Sequence, residues 1–275
     1  MSITVPRAWF ERLNAIVKQI EVSQEDHKNL HFNMLLGYCS SAETILKINN
    51  DDLEIEHHPY GLTGLDGLSI TKTKNTYLID RAKEVMGENF YGAEQIKKAF
   101  GIEVDEPRIP YTYSELVQAK REGFMLVLFL EKTAKEIEEI TKDKYKAKGW
   151  KLFYNTNWYE NEKFFTEEKP TFGWKLVKNR PDLVNLTYNE QTEKMNPNKR
   201  LSFSEIVQLT ALVFLSRYEE MWESKYCWTS SCSSGGYLVL FGRAGAGGAI
   251  VSRCSPSYSS NDLGTSSSRR GSLNI

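Results

Sequence analysis

The chain holds no histidine beyond His58: its four are His27, His31, His57 and His58. A Ser-His-Asp or Cys-His nucleophilic site is therefore excluded from everything that follows, because such sites use imidazole as their base. Cysteine is scarce too. Cys39, Cys227, Cys232 and Cys254 include no CxxC pair and have no neighbouring histidine in the tail, which argues against zinc. No apolar run approaches the ~20 residues of a membrane span. The N-terminal MSITVPRAWF lacks a basic stretch followed by an apolar one, so no secretory signal is expected. The expectation is a cytoplasmic or virion-associated chain with free thiols. Excess charge is also missing. Net charge is −1; from Lys225 onward five basic residues face the single acid Asp262, giving +4 and leaving −5 for the rest. Neither value suggests nucleic-acid binding. After Trp228 the sequence has no Lys, Glu, Gln, Met or Trp, and one acid is too few for a calcium site.

What is present is ordinary in bulk: 40% hydrophobic and 26% charged residues, typical of a globular protein. Residues 1–104 read as a mainly helical N-terminal module. Pro6 suits a first helical turn, with Phe10, Leu13, Ile16, Val17 and Ile20 on one face. Ser23 and Asp26 resemble a capping box opening a second helix to about Ile48. Such a hairpin fits oligomerisation or attachment to a larger particle, and equally a buttress on the main domain. His57 and His58 read as solvated loop residues, since neighbours on a strand point apart. Gly61, Gly64 and Gly67 punctuate a turn segment without the Lys-Ser/Thr of a phosphate loop.

From Tyr91 onward short elements follow one another. Helices are expected over 93–100, ended by Gly101, and over 114–122, ended by Gly123. Between them 106–110 (EPRIP) reads as a linker. The run 124–130 is apolar throughout and predicts a central strand. Thr133 and Glu136 cap a helix to about Lys146, and Ser202 and Glu205 cap another from Phe203 to about Trp222. Strands are expected at 150–155 and 172–178. Between them, Trp158, Tyr159, Phe164 and Phe165 offer either a sugar-stacking surface or core beneath long loops; such clusters are more often core.

The tail, 228–270, looks at first like a disordered Ser/Gly segment. Two glycine-bracketed apolar runs, 237–241 (YLVLF) and 249–251 (AIV), argue for strands, with turns at Pro256 and Asn261. The order of Trp228, Thr229, Ser230 and Ser231, then Gly235, Gly236, Leu238, Val239, Gly242 and Arg243, then Gly248, Ala249, Val251, Ser255 and Pro256, then Asp262, Leu263, Gly264, Ser268 and Arg269 resembles the variable region of diversity-generating retroelement target proteins. The nearest branch is archaeal and viral or uncultured-bacterial. Its members have a C-type-lectin fold of the formylglycine-generating-enzyme type. In these families a reverse transcriptase copies a template repeat with errors at adenines and overwrites the end of the gene. Randomising both adenines of an AAC codon reaches Tyr, Ser, Cys, Gly, Ala, Arg, Leu and Phe among others, but never Lys, Glu, Gln, Met or Trp. The tail after Trp228 has none of those five.

The resemblance implies an α+β protein. A C-type-lectin-like domain would span 105–275, preceded by the helical module, with a variable region at about 226–270. It implies a ligand-binding display protein, not an enzyme, with no cofactor and no metal. Upstream, 153–177 also resembles that scaffold. The paired cysteines and terminal Gly-Phe-Arg of the formylglycine-generating enzymes are not reproduced by Cys227, Cys232, Cys254 and the segment 264–269. Removing the family-like fixed residues leaves Cys232, Tyr237, Leu240, Phe241, Ala244, Gly245, Gly247, Ile250, Ser252, Arg253, Cys254, Tyr258, Ser260, Asn261, Thr265 and Ser267 as candidate diversified, ligand-binding positions. Positions that accept random side chains have to face solvent, where substitutions cost within about ±0.5 kcal/mol. Leu238, Val239, Val251 and Leu263 then have to be buried beneath them. Hot-spot statistics single out Tyr237, Phe241, Arg253 and Tyr258. The expected partner is a protein or cell-surface ligand. The alternatives are an invariant structural or attachment protein of a virus particle, and a glycan-binding lectin.

Overall fold

The computed structural model describes residues 53–57, 68–72, 75–195, 198–222, 224–269 and 271. The expected N-terminal helical hairpin and the glycine-punctuated turn lie outside them. Among the described residues the chain is mixed α+β, with seven helices, two mixed sheets and a separate two-stranded one. None of these helices is long and apolar enough to cross a membrane.

The two-stranded sheet pairs β1 (Leu53–His57) with β2 (Leu68–Lys72) antiparallel, so His57 ends a strand. Then come α1 (Asn75–Met86), β3 (Phe90–Tyr91) and α2 (Ala93–Phe100). Gly101 stops α2 in the left-handed region at φ 73°. Next are α3 (Tyr113–Arg121), β4 (Phe124–Phe129), α4 (Ala134–Lys146), the short α5 (Lys163–Thr166) and β5 (Gly173–Lys178). After α6 (Tyr188–Met195) and β6 (Lys199–Arg200) comes α7 (Phe203–Arg217). The tail supplies β7 (Tyr226–Cys232), β8 (Leu238–Gly242), β9 (Ile250–Cys254), β10 (Leu263–Thr265) and β11 (Ser267–Arg269).

The central sheet has the order β3-β4-β5-β11-β6, and β4 is buried along its whole length. The tail sheet has the order β10-β7-β8-β9, with β10 parallel to β7. Only Ser266 separates β10 from β11, so the chain steps directly from one sheet into the other. Its hydroxyl donates to Lys178 O at 2.9 Å. The expected boundary at 104/105 does not divide the core. Ile79, Met86, Phe90, Tyr91, Ile96 and Phe100 share one cluster with Leu126 and Phe203, because β3 pairs with β4 and the apolar side of α2 packs on α7.

Two of the three expected capping boxes lie among the described residues, and both form: Thr133 Oγ1 and Ser202 Oγ accept from Glu136 N and Glu205 N, and each glutamate reaches back to its cap. In α7 every residue but Arg217 is buried, the mark of a helix enclosed by other elements. Its polar residues have local or cross-layer partners. Gln208 donates to Leu130 O and Lys132 O and accepts from Leu130 N, satisfying the backbone where β4 ends. The helix stops at Arg217 and not near Trp222. Tyr218 takes a left-handed conformation at φ 63°, and Trp222 turns back to donate its indole N–H to Thr210 Oγ1 at 2.9 Å.

The segment 150–155 is not a strand. It carries one isolated bridge, Phe153 to Ala249, and is tethered by single bonds such as Lys151 N to Ala246 O at 3.2 Å. Tyr159, Phe164 and Phe165 are core, meeting Phe203 edge-on or nearly so within about 6 Å or across Phe153.

Candidate binding surface

Within the tail sheet, register decides which side chains are hidden. Cross-strand partners share a face. Phe241, Cys227 and Val251 therefore face one way, with Val239, and join the main core beside α7. Leu240, Trp228 and Ser252 face the other way. There Trp228, Leu238, Leu240 and Leu263 make a second small cluster, and Tyr188 of α6 meets Trp228 edge-on at 5.6 Å. Leu238, Val239, Val251 and Leu263 are all buried.

Five of the sixteen candidate positions are buried as well: Leu240, Phe241, Ala244, Thr265 and Ser267. The requirement that all candidates face solvent fails at these five, because the sheet is covered on both faces. Phe241 has ring centroids of Phe203 and Phe153 at 6.0 and 6.5 Å, so it leaves the hot-spot set. Ala244 walls a small hollow beside Trp150, Phe214 and Met221, and a charge there would be buried. Thr265 accepts from Nε of the buried Arg200 at 3.2 Å and exchanges two backbone hydrogen bonds with Asp182. Ser267 lies in β11 opposite Arg200.

The other eleven are exposed or half-buried: Cys232, Tyr237, Gly245, Gly247, Ile250, Ser252, Arg253, Cys254, Tyr258, Ser260 and Asn261. Tyr237 and Tyr258 are about half exposed, at 49% and 50%. The Arg253 guanidinium sits 5.2 Å from the Trp158 ring and 5.7 Å from Tyr237, within cation–π range of both. Trp158 pins the edge strand by donating its indole N–H to Val251 O at 3.2 Å. Glu162 holds the 233–237 turn, accepting from Ser234 N at 2.7 Å and Ser234 Oγ at 2.8 Å. Trp158 and Glu162 thus form a wall from outside the tail.

Most of the glycines divide in the same way; of those assigned as fixed, Gly235 meets only ordinary contacts and Gly236 is limited by its left-handed φ of 76° and not by neighbours. A Cβ on Gly242 would come within 2.2 Å of Lys225 O, and one on Gly264 within 2.6 Å of Asp182 O. Gly248 combines φ 98° with a Phe153 backbone that would lie 2.3 Å from any Cβ placed there, which only glycine accommodates. Among the described residues nothing lies within 4 Å of a Cβ placed on Gly245 or Gly247, and neither has a positive φ.

No family model, curated protein or solved structure matches this chain.

Asp262 is held below its ordinary range by the Ser260 hydroxyl and by Arg243, whose guanidinium lies 3.2 Å away. Burial pushes the thiols of Cys227 and Cys254 up, so neither is a thiolate near neutral pH. Cys232 and Cys254 both pair with Leu238, from opposite sides. Two strand spacings of ~4.8 Å separate them, beyond the ~7 Å a disulfide spans. Among the described residues no three His, Cys, Asp or Glu side chains are placed to hold a metal ion.

Sequence reasoning missed the Arg200 network. This side chain also donates to Thr192 Oγ1, Tyr188 O and Gln191 Oε1 and lies 3.6 Å over the Tyr188 ring. No local pattern announces it, since its partners come from α6 and β10.

Proposed function

We propose that this chain is a ligand-display protein. Its binding surface is the exposed subset of the tail together with the fixed wall of Trp158 and Glu162, and that subset is diversified by a retroelement. On this reading the scaffold is a C-type-lectin-like domain of the formylglycine-generating-enzyme kind. The observation that carries the reading is the division of the glycines. Those assigned as fixed at 242, 248 and 264 have no room for a side chain, while Gly245 and Gly247, assigned as variable, open onto free space. A fixed backbone that tolerates randomised codons needs that division, since a blocked position loses the fold whenever glycine is replaced. Tyr237, Arg253 and Tyr258 are the residues on which binding strength concentrates, aromatics and arginine being over-represented at hot spots.

The test is the DNA beside the gene. The expected finding is a reverse-transcriptase gene and an adenine-rich near-copy of the last codons, with the adenines opposite codons of the eleven exposed positions. A near-copy with adenines spread equally over Phe241, Gly248 and Thr265 contradicts the reading, and so does the absence of any copy. The array of Trp158, Arg253 and Tyr237 also favours a second reading, since a sugar ring stacks on such a surface. A glycan-binding or particle-attachment protein with an invariant tail predicts no copy and the same ligand in every natural variant.

A further inference from the structure

A cleft of about 510 Å³ lies where the end of α7 and the turn after it face the ends of β3 and β5; Lys225 of its lining donates to Asn261 O at 2.9 Å. Its floor includes the buried Met125, Met221 and Trp222. Among the described residues its charged lining has both signs: Arg180, Arg217 and Lys225 with Glu88, Glu219 and Glu220. A simple anion or a simple cation would meet like charge there, whereas a dipolar ligand meets opposite charge at both ends.

Tyr91 gives the cleft a built polar group. Its side chain is only 2% exposed, yet among the described residues no hydrogen bond engages its phenol. Arg217 lies over its ring at 4.5 Å and uses an N–H on Phe90 O at 3.3 Å, leaving other guanidinium donors. Burial, with Glu219 and Glu88 nearby and against Arg217, raises the Tyr91 pKa to about 12, so the phenol is a donor at neutral pH. Trp222 in the lining is a non-glycine residue at φ 63°. Such outliers persist where surrounding bonds hold them, and they gather at ligand sites.

We infer that this cleft binds a small zwitterion with an apolar side chain, an amino acid or dipeptide, its carboxylate on Arg217 and the Tyr91 phenol, its ammonium toward Glu219 and Glu88, and its side chain on the Met221 and Trp222 floor. The volume lies in the ordinary range of roughly 300–1,000 Å³ for small-molecule sites.

The experiment titrates the full chain with L-phenylalanine and with glycyl-L-phenylalanine, reading the Trp222 indole N–H by NMR. N-acetyl-L-phenylalanine, lacking the ammonium, and L-phenylalaninamide, lacking the carboxylate, serve as controls. The expected result is a saturable shift with at least one zwitterion and binding at least about tenfold weaker for both blocked forms, one lost charge-assisted bond being worth that much. Tyr91→Phe, which removes a single oxygen and keeps the packing, should weaken binding about tenfold, and Arg253→Ala should leave it unchanged. No saturable shift with either zwitterion, equal affinity for the blocked forms, or an unaltered affinity in Tyr91→Phe would overturn the assignment.

Discussion

The central sheet and the tail sheet are held in different ways. β4 is a run of large apolar side chains, FMLVLF, buried on both faces between helices. The tail as a whole is built largely from Ser, Gly, Ala, Thr and Cys, a composition that suggests a linker, yet β8 in its sheet is just as buried. Bulk supplies order in the first. In the second, a few large residues such as Trp228 and Phe241 are supplemented by close backbone approaches and polar bonds. Thr229 donates to Val239 O, Ser231 Oγ accepts from Phe203 N at the start of α7 and donates to Glu168, and Ser230 N reaches Leu201 O. Small residues permit those approaches, and they leave the loop tips free to vary.

The comparison is broken most strongly at the shared core. Phe241→Ala in the tail should cost about 3–5 kcal/mol, in the range expected of Leu126→Ala in β4, about 2–5 kcal/mol, as read by urea unfolding. A tail substitution costing under ~1 kcal/mol would mean that the tail sheet is only loosely applied. Next comes backbone room: Gly248→Val should cost roughly 3 kcal/mol from a left-handed φ and a backbone clash, against ~0.5 kcal/mol or less for Gly247→Ser. Equal melting temperatures for these two variants would remove the distinction between fixed and variable glycines.

Smaller again is the polar anchor. Thr265→Val keeps the shape but leaves Arg200 Nε short of an acceptor, and should cost about 1–2 kcal/mol. The same loss in an Arg200→Met background would show that the threonine acts some other way. The smallest effect depends on pH. Burial pushes the Asp182 carboxyl above its ordinary value of 3.8, and among the described residues its Oδ1 has no hydrogen-bond partner. An acid raised in the folded state favours folding below its unfolded pKa, and that contribution is lost as pH rises through the raised value. Asp182→Asn should therefore gain in melting temperature relative to the parent between about pH 3.5 and 7. A constant difference across that window would show that the carboxyl does not titrate differently on folding.

Local signals carried much of the fold. The boxes at Thr133/Glu136 and Ser202/Glu205 need only four residues each, and β4 announces itself by continuous apolarity. The end of α7 did not show, because Tyr218 and Trp222 take left-handed backbone in response to Thr210, a tertiary partner. Helix α6 escaped notice because YNEQTEKM has no apolar stripe; it buries Gln191, whose side-chain amide donates to Leu183 O at 3.0 Å. Of the candidate positions, Tyr237, Arg253 and Tyr258 were named from the motif and are exposed, as the reading requires. Leu240, Phe241, Ala244, Thr265 and Ser267 were misplaced because subtracting motif residues does not say which way a strand faces, and a sheet covered on both sides gives no alternation to read.

The most direct test of a fixed frame carrying a variable surface is a substitution scan of codons 226–269. Each is replaced by the residues an AAC codon can reach and scored by survival of the folded chain under protease and heat. Tolerance is expected at the eleven exposed positions, and loss of the fold at Leu240, Phe241, Gly242, Gly248, Gly264 and Thr265. Tolerance spread evenly over both sets would contradict it.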